Sequence, residues 1–196
     1  MDIEQPDGAT PLEPEELEGL RFKHIATRGE LDHLEQANIA EGLRWMRRSR
    51  RSDIFSIAYA CELHRRLFGQ VWHWAGEFRK TGKNIGVDAR EIPVSLRLLF
   101  DDAKYWLDTG TYAPREAALR FHHRLVFIHP FINGNGRHAR ILADASLEKL
   151  CGQGPIDWSG GYNLQGMNKR RSEYIQALRA ADRGDYSLLL AFGRVC

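Results

Sequence analysis

Helix-boundary signals recur along most of this 196-residue chain, and they constrain its fold more than any other feature of the sequence. Thr27 and Glu30 match a capping box, in which each side chain bonds a backbone N–H at the start of a helix. Pro114 suits the first turn of another helix, and Gly69 and Gly152 suit helix ends. With apolar residues at helical spacing, these signals predict helices over residues 28–49, 53–68, 94–107, 114–128, 137–150, 167–181 and 187–192. The chain is therefore predicted to be all-α.

One segment departs from this pattern. In residues 79–93, Gly82, Asn84 and Gly86 lie close together between short stretches that tolerate β-structure. Such turn residues predict a small, exposed β-hairpin. Because an isolated two-stranded hairpin is only marginally stable, we expect it to pack on the helices or on a partner.

Length and composition indicate one domain preceded by an arm. Residues 1–26 are predicted to form an extended acidic arm, since Pro6, Pro11 and Pro14 disfavour a helix, and residues 27–196 to form a single domain. No apolar run approaches the roughly 18 residues that span a membrane, and the N-terminus lacks the features of a secretory signal. The three widely spaced cysteines suit neither a disulfide framework nor a zinc site. These observations predict a cytoplasmic protein without a membrane partner.

Charge is distributed unevenly along the chain. The first 20 residues carry seven acidic residues and no basic one, whereas the rest carries all 28 basic residues against 19 acidic ones. This surplus favours an anionic ligand such as a nucleotide, or nucleic acid, although solubility alone also explains it. Four arginines within residues 47–51 could contact nucleic acid, but no base-reading motif accompanies them. A solvated helix end is the simpler interpretation, and a nucleic-acid partner is not expected.

The first predicted helix carries polar residues on its apolar face. One stripe, at spacings of three and four, holds Leu31, Leu34, Asn38, Glu41 and Trp45. A buried glutamate costs several kcal/mol unless it is paired, so Glu41 is predicted to meet a cationic partner in the fold. The alternative is that this face ends at the surface and that Glu41 is solvated.

The densest chemical signal is the loop at residues 128–140, which joins two predicted helices. Its Gly-Asn-Gly triplet permits a tight turn whose N–H groups converge at the start of the next helix, where the helix dipole is positive. Arg137 and Arg140 lie on one side of that helix and provide guanidinium groups suited to phosphate oxygens. His129 borders this anion cradle and can accept a proton near neutral pH. The arrangement indicates phosphoryl or nucleotidyl transfer to a hydroxyl.

In this loop the sequence resembles the Fic (Fic/Doc) family, whose motif is His-x-Phe-x-(Asp/Glu)-Gly-Asn-Gly-Arg-x-x-Arg, and only Asn133 departs from it. Residues 64–79 look like the helix-to-flap segment of the family, and residues 171–190 look like its C-terminal helices. The segments 6–12 and 35–41 are similar to the subgroup named mobile mystery protein B. The resemblance implies a Fic-type helical bundle with a small hairpin flap.

The resemblance also implies an activity and a set of site residues. Fic proteins usually move AMP from ATP to a Ser, Thr or Tyr hydroxyl of a target protein, which makes the chain a predicted protein adenylyltransferase. His129 would be the base that deprotonates the target hydroxyl. The phosphates of ATP would contact Gly134, Asn135, Gly136, Arg137 and Arg140. The flap would hold the target segment by strand-like pairing through Lys83, Asn84, Ile85 and Val87.

Magnesium is the cofactor that the resemblance implies, and Asn133 stands where most relatives bind it through Asp or Glu. An amide offers a neutral carbonyl oxygen, which binds magnesium more weakly than a carboxylate does. We therefore predict a weakened magnesium site at Asn133. The alternative is an enzyme whose transfer activity is altered or lost.

The resemblance also implies that the protein inhibits its own active site. Many Fic proteins carry a helix with the pattern Ser/Thr-x-x-x-Glu-Gly/Asn, whose Glu pairs with the second Arg of the motif and blocks seating of the ATP γ-phosphate. Glu41 and Gly42 match the core of this pattern, although Ala37 stands where Ser or Thr is expected. The helix over residues 28–49 is therefore predicted to inhibit the site, with Glu41 paired to Arg140.

Two other functions stay open. A transferase of the same fold could use another nucleotide or move the γ-phosphate. The second is a catalytically weak nucleotide-binding protein that belongs to a toxin–antitoxin or mobile-element module. Its partner would be a helix-turn-helix protein. The aromatic residues are most simply packing residues, and the candidates for an adenine contact are Trp72, Trp74, Trp158, Tyr162 and Tyr174.

Overall fold

The computed structural model describes residues 17–25, 27–159 and 168–194. The chain is all-α, as predicted, and the described helices are α1 (Arg28–Arg48), α2 (Ile57–Phe68), α3 (Ile92–Thr109), α4 (Pro114–Ile128), α5 (Asn135–Leu150), α6 (Lys169–Ala181) and α7 (Ser187–Arg194). A single 3-10 turn, Ala89–Glu91, leads into α3. The predicted helices are all present, with bounds that differ by up to four residues.

Local capping explains where the first two helices begin. At the start of α1, Thr27 Oγ1 accepts the N–H of Glu30 at 3.2 Å, and the carboxylate of Glu30 accepts the N–H of Thr27 at 3.0 Å. This is the predicted capping box. Helix α2 begins four residues later than predicted, because Ser56 Oγ accepts the N–H of Tyr59 at 3.1 Å and so acts as its N-cap.

The hydrophobic core lies between α2, α3, α4 and α5. Helices α4 and α5 are packed against each other along their lengths, and α3 packs on α4. The side chains that fill the space between them are almost completely buried, and they include Leu63, Leu67, Leu96, Leu99, Phe121 and Leu142. Removal of these apolar surfaces from water is the main stabilising contribution to the bundle, and it fixes the turn that joins α4 to α5 at one end of the core.

Helix α1 packs on α2 through an amide as well as through apolar residues. Asn38 is 2% exposed, and its side chain donates to the carbonyl of Arg66 and accepts the N–H of Gln70, both at 2.9 Å. Close approach of the two helices depends on Gly42, where a Cβ atom would lie 2.8 Å from the Leu67 side chain. The prediction that Asn38 lies on the buried face is confirmed.

Glu41 does not lie on that face, so the prediction that it points into the fold is wrong. Its side chain is 48% exposed and lies 3.7 Å from the guanidinium of Arg44, and its carboxylate also accepts a hydrogen bond from the side chain of Gln70. Because Gly42 faces α2, its neighbour Glu41 is turned towards the surface. The alternative interpretation, a solvated glutamate at the edge of the stripe, is the correct one.

The predicted β-hairpin at residues 79–93 is wrong, because residues 79–88 form a loop without strand pairs among themselves and residues 89–93 belong to the 3-10 turn and the start of α3. The physical reason is Arg79. Its guanidinium donates to the carbonyl oxygen of Thr81 at 2.9 Å and to that of Val87, so one side chain takes carbonyls that a hairpin would pair between strands. Residues 79–88 are called the flap loop below.

Part of the predicted N-terminal arm is described, and it packs on the domain. Arg21 donates its backbone N–H to the carbonyl of Val71 at 2.9 Å, and His73 donates to the carbonyl of Gly19 at 2.8 Å. Residues 1–16 lie outside the described ranges. None of the described helices is long and apolar enough to cross a membrane.

Asn38→Ala is expected to lower the free energy of unfolding by about 1–3 kcal/mol, since it leaves the Arg66 carbonyl and the Gln70 N–H without their partner. Urea unfolding followed by circular dichroism measures this change. Gln36→Ala, an exposed neighbour on the same helix, is the matched control and should stay within about 0.5 kcal/mol of the unsubstituted protein. Equal stability of the two variants would contradict the role given to Asn38.

Candidate active site

The turn between α4 and α5 begins at His129 in an unusual conformation. His129 is the C-cap of α4, where its backbone N–H donates to the carbonyl of Leu125, and its φ angle is +54°. Within the described ranges it is the only residue other than glycine with a positive φ. Such a conformation costs about 1–3 kcal/mol and persists only where the surroundings impose it. The fold therefore determines the direction in which the His129 side chain points.

The side chain of Asn135 closes this turn. Its Oδ1 accepts the N–H of Phe131 at 2.8 Å, and its Nδ2 donates to the carbonyl of the same residue at 2.8 Å. The carbonyl of Pro130 accepts the N–H of Arg79 at 2.9 Å, which joins the turn to the flap loop. Asn135 is 3% exposed, so its side chain shapes the loop, and only its backbone N–H is left for a ligand.

A buried histidine supports the other side of the turn. His64 stacks on Phe131 with ring centroids 3.8 Å apart. Its Nδ1 accepts the N–H of Gly76 at 2.9 Å, so Nε2 carries the proton and donates to the carbonyl of Asn133 at 3.0 Å. Burial lowers the pKa of His64 well below its ordinary value, which keeps it in this neutral form. Sequence analysis did not single out His64, although it begins the segment that resembles the family's helix-to-flap region.

The start of α5 forms the predicted anion cradle. Gly134 precedes the helix with φ +77°, a backbone conformation that favours glycine. A Cβ atom at this position would also lie 2.8 Å from the ring of Phe68, so a larger residue would clash with it. Helix geometry leaves the backbone N–H groups of residues 135–137 without acceptors inside the helix. At Gly136 the nearest atom to an added Cβ is Arg140 Nη1 at 3.7 Å, which leaves room for a ligand beside the backbone. Helix α5 begins at residue 135 rather than at the predicted residue 137, with Gly134 as its N-cap.

The two motif arginines have different partners. Arg137 Nη1 lies 2.5 Å from Glu35 Oε2, and its guanidinium lies 4.7 Å from the centre of the Phe68 ring. Arg140 lies over the ring of Tyr174, at 5.4 Å from its centre. Arg140 does not pair with the predicted inhibitory Glu41, which lies on the surface, so that predicted ion pair is wrong.

Glu35 is the acidic residue of α1 that reaches the site, and sequence analysis missed it. It is 4% exposed, and its carboxylate also accepts the indole N–H of Trp72 at 2.8 Å. The signal was available, because Leu31, Glu35, Asn38 and Gly42 also follow helical spacing. Periodicity alone did not distinguish this stripe from the one that contains Glu41.

Asn133 provides an amide at the position of the predicted magnesium site. Its Oδ1 accepts the N–H of Gly134 at 2.6 Å. Within the described ranges, no group of three or more His, Cys, Asp or Glu side chains could hold a metal ion. This part of the chain therefore offers one neutral oxygen at this position, and phosphate oxygens would have to supply most of the coordination.

The flap loop lies directly on the base. Gly86 has φ +110°, and a Cβ atom there would lie 2.8 Å from the Cβ of His129 and 2.6 Å from Arg79 Nη2. Lys83 and Val87 are half-buried, whereas Asn84 and Ile85 are exposed. The structure thus places the loop that carries the predicted target-binding residues next to the predicted base, through Gly86 and Val87.

The environment of His129 keeps its imidazole neutral. Burial, at 5% exposure, lowers the pKa of His129 to about 4, and the positive charges of Arg79 and Lys83 act in the same direction. A hydrogen bond in which the ring donates to the backbone carbonyl of Val126 opposes them. At neutral pH the ring is therefore able to accept a proton, as a general base must.

The described aromatic candidates for an adenine contact are packing residues. Trp72, Trp74, Trp158 and Tyr174 are all less than 10% exposed, and the hydroxyl of Tyr174 bonds His122 at 3.0 Å. Tyr162 lies outside the described residues. The arginines of residues 47–51 are exposed, which agrees with a solvated helix end.

Comparison with known proteins agrees with this geometry. A model of the Fic/DOC family matches residues 54–147. Over 139 residues, 69% of this chain, the sequence is 34% identical to the protein adenylyltransferase Fic of Drosophila grimshawi and 33% identical to that of Drosophila melanogaster. The chain spans 27% and 26% of the length of these two relatives, about a quarter.

Solved structures share the fold. A fragment of Fic-1 from C. elegans, residues 134–508, superposes with a TM-score of 0.66 and 27% identity, over 89% of this chain and 50% of that one. BepC from Bartonella tribocorum, solved with bound AMPPNP, superposes with a TM-score of 0.67 over 92% of this chain and 96% of that one. At 17% identity the second similarity shows the fold alone.

Stability is expected to depend on pH through the buried histidines next to the turn. Burial lowers the pKa of His138 to about 4 from an ordinary value of 6.5, so the unfolded chain binds a proton that the folded chain excludes. The free energy of unfolding should therefore fall as the pH is lowered from 6.5 towards 4. In His138→Gln this slope should be shallower by up to about 1.4 kcal/mol per pH unit.

Urea unfolding at a series of pH values measures that slope. His33→Gln, at an exposed position, is the matched control and should keep the slope of the unsubstituted protein. The same slope in His138→Gln and in the control would show that His138 is protonated equally in both states.

Proposed function

Residues 54–147 of this chain form a Fic/DOC family domain, and from that premise we propose that the protein is a protein adenylyltransferase. The reaction moves AMP from ATP to a Ser, Thr or Tyr hydroxyl of a target protein. One observation carries the proposal: a neutral histidine, His129, directly borders a helix start that offers backbone N–H groups and two arginines to an anion. A neutral base next to a phosphate site suits nucleotidyl transfer.

The phosphates of ATP bind at the start of α5 in this proposal. The N–H groups of residues 135–137 and the positive end of the helix dipole attract the anion, and Arg137 and Arg140 neutralise charge on the β- and γ-phosphates. Gly134 and Gly136 allow the phosphate oxygens to approach the backbone. Backbone and guanidinium donors that are already in place need little reorganisation as charge develops in the transition state.

The transfer step needs only one proton acceptor. As the target hydroxyl oxygen attacks the α-phosphorus, its proton moves to the imidazole of His129. A bond forms between the hydroxyl oxygen and the α-phosphorus, the bond from that phosphorus to the oxygen bridging to the β-phosphate breaks, and pyrophosphate leaves. The products are the AMP-modified side chain, pyrophosphate and a protonated His129, which returns its proton to solvent.

Magnesium is proposed as the cofactor, with Asn133 Oδ1 as the protein oxygen that would hold it. A bound magnesium ion would neutralise negative charge on the phosphates. Since an amide contributes no negative charge, we expect weak binding of the metal and strong dependence on the nucleotide that carries it.

The target segment lies along the flap loop in this proposal. The exposed backbone around Asn84 and Ile85 can pair with an extended segment, which would place its hydroxyl side chain near His129. Lys83 and Val87 flank this backbone. Membership of the mobile mystery protein B subgroup, a helix-turn-helix partner and a cytoplasmic location stay predictions from the sequence.

Helix α1 is proposed to restrain the site through Glu35. The carboxylate of Glu35 lies 2.5 Å from Arg137 Nη1 and so competes with phosphate oxygens for this guanidinium. The support for this proposal is the burial of the pair: the two side chains are 5% and 16% exposed, and such a pair is little screened by solvent. Glu41, in contrast, is solvated.

Transfer is tested with ATP labelled at either the α- or the γ-phosphate, incubated with magnesium and a cell lysate. Label from the α-phosphate should appear on protein and should fall at least about 100-fold in His129→Ala, because general-base catalysis contributes about that much. Label from the γ-phosphate alone would favour a kinase-like transferase. Binding of ATP without transfer by any variant would favour the catalytically weak nucleotide-binding protein.

The restraint by α1 is tested by comparing Glu35→Gly with Glu41→Gly in the same assay. Glu35→Gly should raise transfer of the α-label, because it frees Arg137 for phosphate, whereas Glu41→Gly should leave transfer unchanged. Thermal unfolding of both variants identifies any loss of fold. A rise with Glu41→Gly alone would overturn the assignment to Glu35.

A further inference from the structure

Arg79 connects two parts of the site, the flap loop and the end of α4. It is 2% exposed, and it lies at the start of the flap loop. Its guanidinium donates to the backbone carbonyl oxygens of Thr81 and Val87 in that loop, and to those of Ile128 and His129 at the end of α4. The Nε–O distance to His129 is 2.6 Å.

The backbone supports the same connection. Arg79 donates its own N–H to the carbonyl of Pro130 at 2.9 Å, and Val87 donates its N–H to that of Ile128 at 3.4 Å. Gly86 allows the close approach, since a Cβ atom there would contact both the guanidinium and His129. The flap loop is therefore attached to the catalytic turn at its two ends.

We propose that Arg79 is a positioning residue that holds the target-binding flap loop and the catalytic His129 in a fixed relative position. The inference rests on the proposed function, because it assigns the flap loop to target binding and His129 to proton transfer. The guanidinium bonds both the loop that would bind the target and the backbone carbonyl of the proposed base. Their separation then depends on the side-chain hydrogen bonds of Arg79 together with two backbone hydrogen bonds, rather than on a β-ladder.

The chemistry of the guanidinium explains why arginine stands here. Arginine has five N–H donors in a planar fork, and four of its hydrogen bonds at this position go to carbonyl oxygens in different directions. Lysine has three donors on a compact ammonium group, so it can keep the charge but cannot keep all of these contacts. Glutamine has an even smaller donor set and no charge.

The charge of Arg79 also acts on His129. Burial is the main reason that the pKa of His129 is low, and Arg79 and Lys83 are the cations that lower it further. Replacing Arg79 by a neutral residue should therefore raise the pKa of His129 from about 4, while burial keeps it below the ordinary value of 6.5. Replacing it by lysine should leave this pKa close to its present value.

The inference is tested in the full chain with Arg79→Gln and Arg79→Lys. Arg90→Gln is the matched control, because Arg90 follows the flap loop and its side chain is 89% exposed in a pair with Asp88. Two measurements need no activity: amide hydrogen exchange of residues 80–88, and the titration of His129 by NMR. A third is the pH profile of α-label transfer, with KM and kcat for the target measured separately.

In both Arg79 variants, amides of the flap loop should exchange about tenfold faster or more, because the hydrogen bonds that hold the loop are lost. Only Arg79→Gln should raise the pKa of His129 and move the acid limb of the transfer profile to higher pH. Arg79→Lys should raise KM for the target more than it lowers kcat. Arg79→Lys keeps the test valid if Arg79→Gln does not fold.

Exchange rates and a His129 titration equal to those of Arg90→Gln in the folded Arg79 variants would overturn the inference. A uniform loss of stability, with faster exchange throughout the domain and an unchanged His129 titration, would reduce Arg79 to a structural residue and would also overturn it. If the protein is not an adenylyltransferase, the result differs. Neither the unsubstituted protein nor any variant then transfers the α-label, while the differences in exchange and in the His129 titration remain.

Discussion

The rest of the site depends on the tight turn that follows α4. His129 adopts a left-handed conformation there, and the side chain of Asn135 bonds both backbone groups of Phe131. This closure sends the chain directly into α5, so that the proposed base and the helix start proposed to bind phosphate lie a few residues apart. A looser turn would leave each group intact but would separate the proton acceptor from the anion site, and transfer requires both in one place.

In this site, neutral histidines lie close to charged arginines. His64, His129 and His138 are buried, and burial lowers the pKa of each, so they act as neutral hydrogen-bonding or proton-accepting groups. The arginines Arg79 and Arg137 keep their charge but are held by carbonyl oxygens or by Glu35. The positive field at the start of α5 therefore comes from oriented groups, while the base stays free of a proton.

Features that depend on neighbouring residues were predicted well from the sequence. The Thr27 capping box, the proline start of α4 and the bounds of that helix all follow from contacts within one helical turn. The loop motif at residues 128–140 also predicted the placement of His129 next to the helix start. The hairpin prediction failed because the Arg79 guanidinium bonds the carbonyls of Thr81 and Val87, which paired strands would use, while it is held in place by the carbonyls of Ile128 and His129, far away in the sequence.

By itself, the sequence determined the helical segments, the turn with its glycines and the set of groups that can bind phosphate and accept a proton. Only the tertiary structure decided that Glu35 rather than Glu41 reaches Arg137 of the motif, and that Arg79 joins the flap loop to His129. The physical reason is geometric. Glu35 and Glu41 are six positions apart, so they point about 120° apart around the helix. Which of them is buried depends on how α1 packs on α2, where Gly42 permits close contact.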